Sequence, residues 1–169
     1  VRMGIVMSKL LILGAGQYGK VAREIAEAIG NFEVISFLDD NSPSAIGNLC
    51  DYDKFSDEYD TAIVAIGDPE LRLGLLQKLK EIGYIIPILV HPKAYISPSS
   101  VIENGSFVEP MAIVHTDVKI GAGCIISAGT IVNHNAVIGC GCHLNCGTII
   151  GARAVIKELV RTNCGQIIE

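Results

Sequence analysis

Between Ile120 and Ile156 an aliphatic residue occupies every sixth position of the chain. The aliphatic positions are Ile120, Ile126, Val132, Ile138, Leu144, Ile150 and Ile156. A small residue follows four positions after each of the first six, and these are Cys124, Thr130, Ala136, Cys142, Thr148 and Ala154. This period matches neither an α-helix nor a single strand. It predicts a β-helix in which each hexapeptide forms one short strand and one corner, and three hexapeptides close one coil.

The repeat also predicts which side chains face the interior. The small residue and the aliphatic residue two positions later should point inward, and the residue between them should point outward. The outward set is Ile125, Ile131, Val137, His143, Ile149 and Val155. Because most of these are apolar, we expect the outward rows to bury one another in a homotrimer. A left-handed coil of this kind is typical of proteins that transfer acyl groups from CoA thioesters.

The repeat has a predicted start and end. The same spacing is already present at Tyr95, Val101, Phe107 and Ile113. It stops after Ile156, which predicts about three and a half coils followed by a polar tail over 157–169.

The first half follows a different pattern. Apolar strands are predicted over 9–13, 33–38, 61–66 and 85–90, and helices from 17 to about 30 and from 69 to about 82. Alternating strands and helices predict a parallel sheet. The pattern changes at His91-Pro92, so we predict an α/β plus all-β chain. It has a small Rossmann-like domain over 8–92 for a nucleotide or nucleotide-sugar, and then a short left-handed β-helix over 93–169.

Composition narrows the class of protein. Half of the 169 residues are hydrophobic, the mean hydropathy is +0.44 and the net charge is −5. No apolar run is long enough for a membrane span, and the absence of basic runs argues against nucleic acid as a partner. Six cysteines without secretory features indicate reduced thiols and a cytoplasmic location. We expect Val1–Met7 to be a leader or an early start site.

The glycine-rich turn is the first candidate site. Gly14-x-Gly16-x-x-Gly19 follows a strand and opens a helix, as in nucleotide-binding proteins. Asp39 and Asp40 end the next strand. The small size of the domain favours one nucleotide or a nucleotide-sugar over NAD, and a purely structural turn remains an alternative.

Histidines in the β-helix form the second candidate site. His134 should lie at an exposed corner, where an imidazole can accept a proton from an incoming amine or hydroxyl. His143 interrupts an otherwise apolar outward row. Cys140-x-Cys142-His143-x-x-Cys146 could suggest zinc, but Cys142 should point inward and the other thiols outward. We therefore predict no metal site.

Several motifs together resemble one family. They are Gly-Ala-Gly-Gln-Tyr-Gly, Phe37-Leu38-Asp39-Asp40, Ala65-Ile66-Gly67-Asp68 with Arg72, His91-Pro92-Lys93-Ala94, Ile96-Ser97-Pro98 and Val132-Asn133-His134 with His143. Their order resembles the bacterial sugar acetyltransferases of the UDP-bacillosamine N-acetyltransferase and sialic-acid O-acetyltransferase type, from Lys9 to about Ile156.

The resemblance implies roles for particular residues. His134 matches the general base, followed by Asn135, and His143 matches a second active-site histidine. The implied substrate-binding residues are Gly14, Gly16, Gly19, Asp39, Asp40, Gly67, Arg72 and Ser127. Gly147 and Ala152 are the implied contacts for acetyl-CoA, which the family binds as co-substrate between the subunits of a trimer.

We therefore expect an acetyl-CoA-dependent acetyltransferase that acts on an amino group of a UDP-linked amino sugar in surface glycan synthesis. Two alternatives stay open. One is O-acetylation of a sugar or sialic acid. The other is a non-catalytic trimer that binds nucleotide-sugars, because the expected stop at Ile156 would truncate the CoA site.

Overall fold

The computed structural model describes residues 8–169, so the expected leader Val1–Met7 lies outside the described residues. The N-terminal half alternates strands and helices. Its elements are β1 (Ser8–Leu13), α1 (Gln17–Ile29), β2 (Phe32–Leu38), β3 (Ala45–Gly47), a 3-10 helix (Leu49–Phe55), β4 (Thr61–Val64) and α2 (Pro69–Ile82). The strands form one parallel sheet in the order β3-β2-β1-β4. Neither helix in residues 8–169 is long and apolar enough to cross a membrane.

The central strand β1 is buried on both faces. Leu10 and Ile12 pack with α1, and Leu11 and Leu13 pack with α2. A strand covered by helices on both sides needs a continuous apolar run, which is what β1 has.

Helix α2 begins and ends where its residue types require. Asp68 caps α2 by accepting a 2.8 Å hydrogen bond from the Leu71 N–H, and Pro69 occupies the first turn. The helix ends at Gly83, whose φ of 107° few other residues adopt. The predicted bounds of α2 are confirmed.

Short strands of two residues make up the second half. They are β5 (Leu89–Val90), β6 (Tyr95–Ile96), β7 (Val101–Ile102), β8 (Phe107–Val108), β9 (Ile113–Val114), β10 (Lys119–Ile120), β11 (Ile125–Ile126), β12 (Ile131–Val132), β13 (Val137–Ile138), β14 (His143–Leu144), β15 (Ile149–Ile150), β16 (Val155–Ile156) and β17 (Ile167–Ile168). They stack into three parallel sheets: face 1 (β5, β8, β11, β14), face 2 (β6, β9, β12, β15, β17) and face 3 (β7, β10, β13, β16). Partners are eighteen residues apart, as in Ile125 and His143. The left-handed β-helix is confirmed.

Small and aliphatic side chains fill the interior of the coil, as the repeat predicts. Cys124, Ile126 and Cys142 are fully buried in one apolar cluster. The two thiols donate weak hydrogen bonds to the carbonyl oxygens of Gly139 and Lys157, at 3.1 and 3.0 Å. The cysteines therefore pack as small core residues.

The expected strand over 85–90 is wrong. Only Ile85 reaches the first sheet, through a single bridge to Thr61, whereas Leu89–Val90 already belongs to face 1 of the β-helix. Pro87 lies between them and has no N–H to donate to a sheet partner, so the run divides there. The division of the chain between residues 92 and 93 stays a prediction.

The expected stop at Ile156 is also wrong. Arg161 bridges His143 on face 1, and β17 pairs with β15 on face 2, so the tail continues the coil. The period of six is lost because the inward position is taken by Thr162. This threonine is buried, and its hydroxyl lies 2.7 Å from that of Thr148.

Face 1 is covered by the N-terminal half of the same chain. Its outward residues Leu89, Phe107 and Ile125 are buried in one cluster with α1 and β1. The expectation that all outward rows serve self-association is therefore wrong for this face. The outward row of face 2 stays accessible, and it comprises Tyr95, Ile113, Ile131, Ile149 and Ile167.

Helix α2 joins the two halves at a row of glycine corners. Gly105, Gly123 and Gly141 are one coil apart, and a Cβ on any of them would meet Leu73 or Leu76 of α2 within 3.0 Å. The lack of side chains therefore lets the helix approach the coil.

Arg72 stabilises this contact with hydrogen bonds. It is fully buried, and its Nε and Nη2 donate to the carbonyl oxygens of Gly123 and Gly141 at 2.8 and 2.9 Å. Its Nη1 donates to the carbonyl oxygens of Ile66 and Gly67, in the loop after β4, at 2.7 and 3.2 Å. One guanidinium thus joins α2, a loop of the first sheet and two coils of the β-helix.

Replacement of Arg72 by Met is expected to lower the free energy of unfolding by about 3 kcal/mol or more, because four carbonyl groups lose a charged donor and two of them, in Gly123 and Gly141, are buried. Arg72→Lys should recover only part of this loss, since an ammonium cannot reach all four oxygens. Chemical denaturation measures both values. The control is Arg23→Met, which removes an exposed pair with Glu27 and a cation–π contact with Phe37 and should change stability by about 1 kcal/mol or less. Equal losses in Arg72→Met and Arg23→Met would contradict the assignment.

Candidate active site

The carboxyl ends of the parallel strands meet at one edge of the first sheet. The turn from Gly14 to Gly19 follows β1, Asp39 and Asp40 follow β2, and Gly67 follows β4. Ligands of open α/β sheets bind in the crevice at this edge. The candidate nucleotide residues are thus brought together.

The three glycines of the turn have different structural demands. A Cβ on Gly14 (φ 102°) would lie 2.9 Å from the carbonyl oxygen of Ala65, and one on Gly19 would collide with the Gly14 carbonyl. Both glycines are therefore required by the fold itself. A Cβ on Gly16 would have no neighbouring atom within 4 Å, and this residue begins α1 without a side-chain cap. Its open surroundings leave room for a ligand at the start of the helix.

The two aspartates differ in the atoms they leave free. The Oδ2 of Asp39 accepts the Ala15 N–H at 2.8 Å and its Oδ1 accepts the Asn41 N–H at 2.9 Å. These hydrogen bonds lower the pKa of Asp39. Asp40 is exposed and accepts the Leu49 N–H on Oδ1. Asp39 therefore fixes the glycine turn, and Asp40 is the better placed of the two to meet a ligand.

Arg72 does not face this crevice. Each of its three nitrogen atoms donates to a backbone carbonyl group, and the side chain is fully buried. Its implied contact with substrate is at odds with this position. Arg72 instead holds the Gly67 loop against the β-helix.

Tyr18 connects the glycine turn to face 1 of the β-helix. Its ring packs edge-on against Phe107 with centroids 5.3 Å apart, and its centroid is 6.3 Å from that of His143. His143 Nε2 lies 3.2 Å from the hydroxyl of buried Ser127. The structure therefore brings Ser127 and His143 close to the glycine turn at the edge of the first sheet.

His143 is held in its neutral form. Burial lowers its pKa from 6.5 to about 4, and the positive charges of Arg161 and Arg72 contribute to this shift. At neutral pH the ring is an uncharged hydrogen-bonding group. Its Nδ1 is buried and has no hydrogen-bond partner among the described residues.

Two further polar residues at this point were not found from the sequence. Glu109 lies one coil before Ser127 and is 9% exposed, and the hydroxyl of Tyr18 is buried close to it. Tyr18 lies within the glycine motif, and the spacing of eighteen residues from Glu109 to Ser127 was a usable signal. Glu109 follows a strand of the repeat, where a buried acid is unusual.

His134 lies at the corner between faces 2 and 3. Its Nδ1 is 3.0 Å from Oδ1 of Asn135, which adopts a left-handed φ of 60°. An amide oxygen only accepts hydrogen bonds, so Nδ1 carries the proton and Nε2 keeps a free lone pair. This is the tautomer that a general base needs.

The predicted CoA contacts lie at two different corners. Ala152 is exposed one coil above His134, in register with the pairing of Val132 and Ile150. Gly147 lies at the corner after face 1, where its N–H bonds to the Ala128 carbonyl oxygen at 3.0 Å. The full width of face 2 therefore separates the corner of His134 and Ala152 from the corner of Ser127 and Gly147.

The cysteines do not form a metal site. Cys142 is buried and Cys146 is exposed, so their thiols diverge. Across residues 8–169 no group of three or more His, Cys, Asp and Glu side chains is placed to hold a metal ion.

Two family models match the chain. The PglD N-terminal domain matches residues 9–79, and the bacterial transferase hexapeptide model, of six repeats, matches residues 99–134. The first covers the sheet with the glycine turn, and the second covers the central coils with Glu109 and Ser127.

Solved structures that share this architecture include acetyltransferases. The acetyltransferase domain of PglB from Neisseria gonorrhoeae is 26% identical over 96% of this chain and 91% of that chain, with a TM-score of 0.88. Its complex with acetyl coenzyme A is matched over 92% of this chain and 95% of that chain, at 26% identity and a TM-score of 0.72. PerB from Caulobacter crescentus, in complex with CoA and GDP-perosamine, is 26% identical over 94% of this chain and 82% of that chain, with a TM-score of 0.73.

The glycine turn gives a test of ligand approach. Gly16→Val should leave the melting temperature within about 2 °C of wild type, because no atom lies within 4 Å of the place that an added Cβ would occupy. The added methyl groups should weaken binding of a UDP-sugar in calorimetry by tenfold or more, about 1.4 kcal/mol. Gly14→Ala is the contrast, since it should destabilise the fold directly through its φ and its contact with Ala65. Unchanged affinity in Gly16→Val would contradict a phosphate site at this turn.

The lowered pKa of His143 predicts a pH dependence. The unfolded chain takes up this proton near pH 6.5 and the folded chain only near pH 4, so stability falls as the pH drops through this window. His143→Gln removes this effect. Its melting temperature should therefore fall less than that of wild type between pH 7 and pH 5, by on the order of 3 °C. The exposed His115→Gln variant should keep the wild-type profile, and identical profiles for all three proteins would refute the assignment.

Proposed function

We propose that this chain, a hexapeptide-repeat acyltransferase with a PglD-type N-terminal domain, transfers an acetyl group from acetyl-CoA to the amino group of a UDP-linked amino sugar. The observation that carries the proposal is the contact at Tyr18. This contact supports the proposal because it lies between the glycine turn of the first sheet and Ser127 and His143 of the β-helix. A nucleotide-sugar held at the glycine turn extends its sugar toward these side chains.

The acceptor is bound through its nucleotide. Backbone N–H groups at Gly16 and the start of α1 face the diphosphate, which the positive end of the helix stabilises. Asp40 accepts hydrogen bonds from the base, while Asp39 keeps the turn in place through Ala15. PerB, a structural relative, has been solved with GDP-perosamine, which supports a nucleotide-sugar as the acceptor.

The donor is acetyl-CoA, since the PglB acetyltransferase domain has been solved with this molecule. The corner with His134 and Ala152 presents the thioester. The match covers 95% of the acetyl-CoA-bound chain, and the coil continues through β17. These two observations support catalysis over the non-catalytic alternative.

The reaction is a direct acyl transfer. The free amine attacks the thioester carbonyl carbon, and the C–N bond forms as negative charge develops on the oxygen. Nε2 of His134 takes the proton that the nitrogen loses. The C–S bond then breaks, and this proton passes to the CoA sulfur, giving an amide and free CoA thiol.

The proposal requires a second copy of the chain. Within one protomer, the width of face 2 separates His134 from His143 and Ser127. The row of five apolar residues on face 2 is suited to packing against another copy. In a homotrimer, His134 of one copy meets the acceptor held by its neighbour, so each site is shared.

The reaction suits a role in the synthesis of surface glycans before export, from nucleotide-linked precursors. We accordingly propose that the protein works in the cytoplasm.

His134→Asn is expected to lower kcat by about 100-fold or more with little change in the KM for the acceptor, because it removes only the proton acceptor. Release of CoA thiol from acetyl-CoA with a UDP-4-amino-sugar measures the rate. Asn135→Ala should have a smaller effect, about tenfold, through loss of the fixed tautomer. His115→Asn, at an exposed corner, is the matched control and should retain activity.

Wild-type turnover no higher than that of His134→Asn would refute the enzymatic proposal. Sedimentation of the same sample tests the shared site, since an active monomer would exclude it.

A further inference from the structure

Glu109 is a buried carboxylate without a cation. It lies at the corner after β8 and is 9% exposed. Within residues 8–169 the ion pairs are Arg23 with Glu27 and Lys54 with Asp51, and neither involves Glu109. Its Oε2 accepts the Ala128 N–H at 3.1 Å. Buried charges in proteins are normally paired, so this carboxylate lacks a partner of the usual kind.

Two buried groups at the contact between Tyr18 and the β-helix are also incompletely bonded. The hydroxyl of Tyr18 and Nδ1 of His143 are both buried, and neither has a hydrogen-bond partner among the described residues. Ser127 lies one coil above Glu109 and bonds to the other nitrogen of His143. An unpaired buried polar atom costs about 1–3 kcal/mol. The Tyr18 hydroxyl lies close to Glu109, and the His143 ring lies close to that of Tyr18, so this region has the features of a site that a ligand completes.

We propose that Glu109, together with Tyr18, Ser127 and His143, forms the pocket that receives the acceptor's amino group, and that Glu109 makes the enzyme prefer an amine to a hydroxyl. This inference rests on the proposed function and specifies the nucleophile. An ammonium group supplies a positive charge for Glu109 and three N–H donors. The oxygen atoms of Glu109, Tyr18 and Ser127 are acceptors for these donors.

A hydroxyl group fits this pocket less well. It has a single hydrogen to donate and no charge, so the carboxylate would stay without a counter-ion. A metal ion is an equally poor fit, because no set of three ligands is placed to hold one in the part of the chain that the structure describes.

The protonation states agree with this geometry. Burial raises the pKa of Glu109, and the N–H of Ala128 and the neighbouring hydroxyl groups of Tyr18 and Ser127 oppose that shift. Burial, and then the nearby Glu109 charge, raise the pKa of Tyr18, so its phenol keeps its proton. A cation in the pocket stabilises the ionised form of Glu109. The ammonium loses one proton to solvent before the free amine attacks, and His134 takes the second during the attack.

Binding measurements with a matched pair of ligands test the pocket. The probes are a UDP-linked 4-amino sugar and the same UDP-sugar with a hydroxyl at that position, each titrated calorimetrically into the full chain. Wild type should bind the amine about tenfold more tightly or better, as expected for a charge-assisted hydrogen bond. Glu109→Gln keeps the shape and removes the charge, so it should lose this preference and bind the hydroxyl ligand as wild type does.

Two further variants keep the test decisive. Glu103→Gln makes the same chemical change at an exposed position six residues earlier, and it should retain the wild-type preference. Tyr18→Phe removes only the unpaired hydroxyl, so it should stay folded and weaken binding of the amine several-fold. Melting temperatures of each variant verify folding.

The possible outcomes separate the two proposals. If Glu109→Gln keeps the preference for the amine, the pocket is wrong, whatever the transfer assay shows. If wild type prefers the amine but releases no CoA thiol, the pocket stands and the proposed transfer is wrong. If wild type binds the two ligands equally, Glu109 is a buried acid of the fold and the inference is overturned.

Discussion

The buried guanidinium of Arg72 is the interaction on which the geometry of the whole molecule depends. The small parallel sheet and the β-helix share an apolar contact at α1 and face 1, but burial of apolar surface is non-directional and does not by itself fix the angle between the two halves. Arg72 does so with hydrogen bonds to Gly123 and Gly141 on one side and to Ile66 and Gly67 on the other. Since the charge has carbonyl dipoles instead of a carboxylate as partners, all of these oxygens must be in place at once. These hydrogen bonds of Arg72 therefore also set the position of the loop after β4 relative to face 1.

The site is a consequence of that docking. With α2 packed against the glycine corners, Tyr18 in the first turn of α1 contacts Phe107 and lies close to His143. Face 1 is thereby covered by the chain's own sheet, while face 2 keeps its apolar row open. The same arrangement that builds the acceptor pocket thus decides which face is left for a second copy. The Tyr18 hydroxyl and Nδ1 of His143 lie where the two halves meet. Neither has a hydrogen-bond partner among the described residues, and the proposed ligand would supply one.

Local periodicity predicts the interior of the coil correctly, because the repeat directly determines that Cys124 and Ile126 point inward. It fails where a contact depends on residues far apart in the chain. The resemblance implies that Arg72 binds substrate, whereas two of the carbonyl groups to which it donates lie 51 and 69 positions away in the chain. Leu89–Val90 is predicted in the wrong sheet because a short apolar run does not specify its neighbour. Glu109 is not identified from the sequence because the six-residue pattern is defined by apolar positions. Its spacing of eighteen residues from Ser127 does place the two residues on successive coils.

The placement of His134 determines how the parts must act together. It lies at the far edge of face 2 from Ser127, and its imidazole is held in the basic tautomer by Asn135. His143 is neutral, with a pKa lowered to about 4, and has a nitrogen close to the acceptor pocket that no described residue pairs. A neutral imidazole there donates or accepts a hydrogen bond without repelling an ammonium, whereas a charged one would repel it. His143 therefore suits the binding of a cationic acceptor and His134 the removal of its proton. Because the width of face 2 separates them within one chain, the proposed reaction requires His134 and His143 from different copies of the chain.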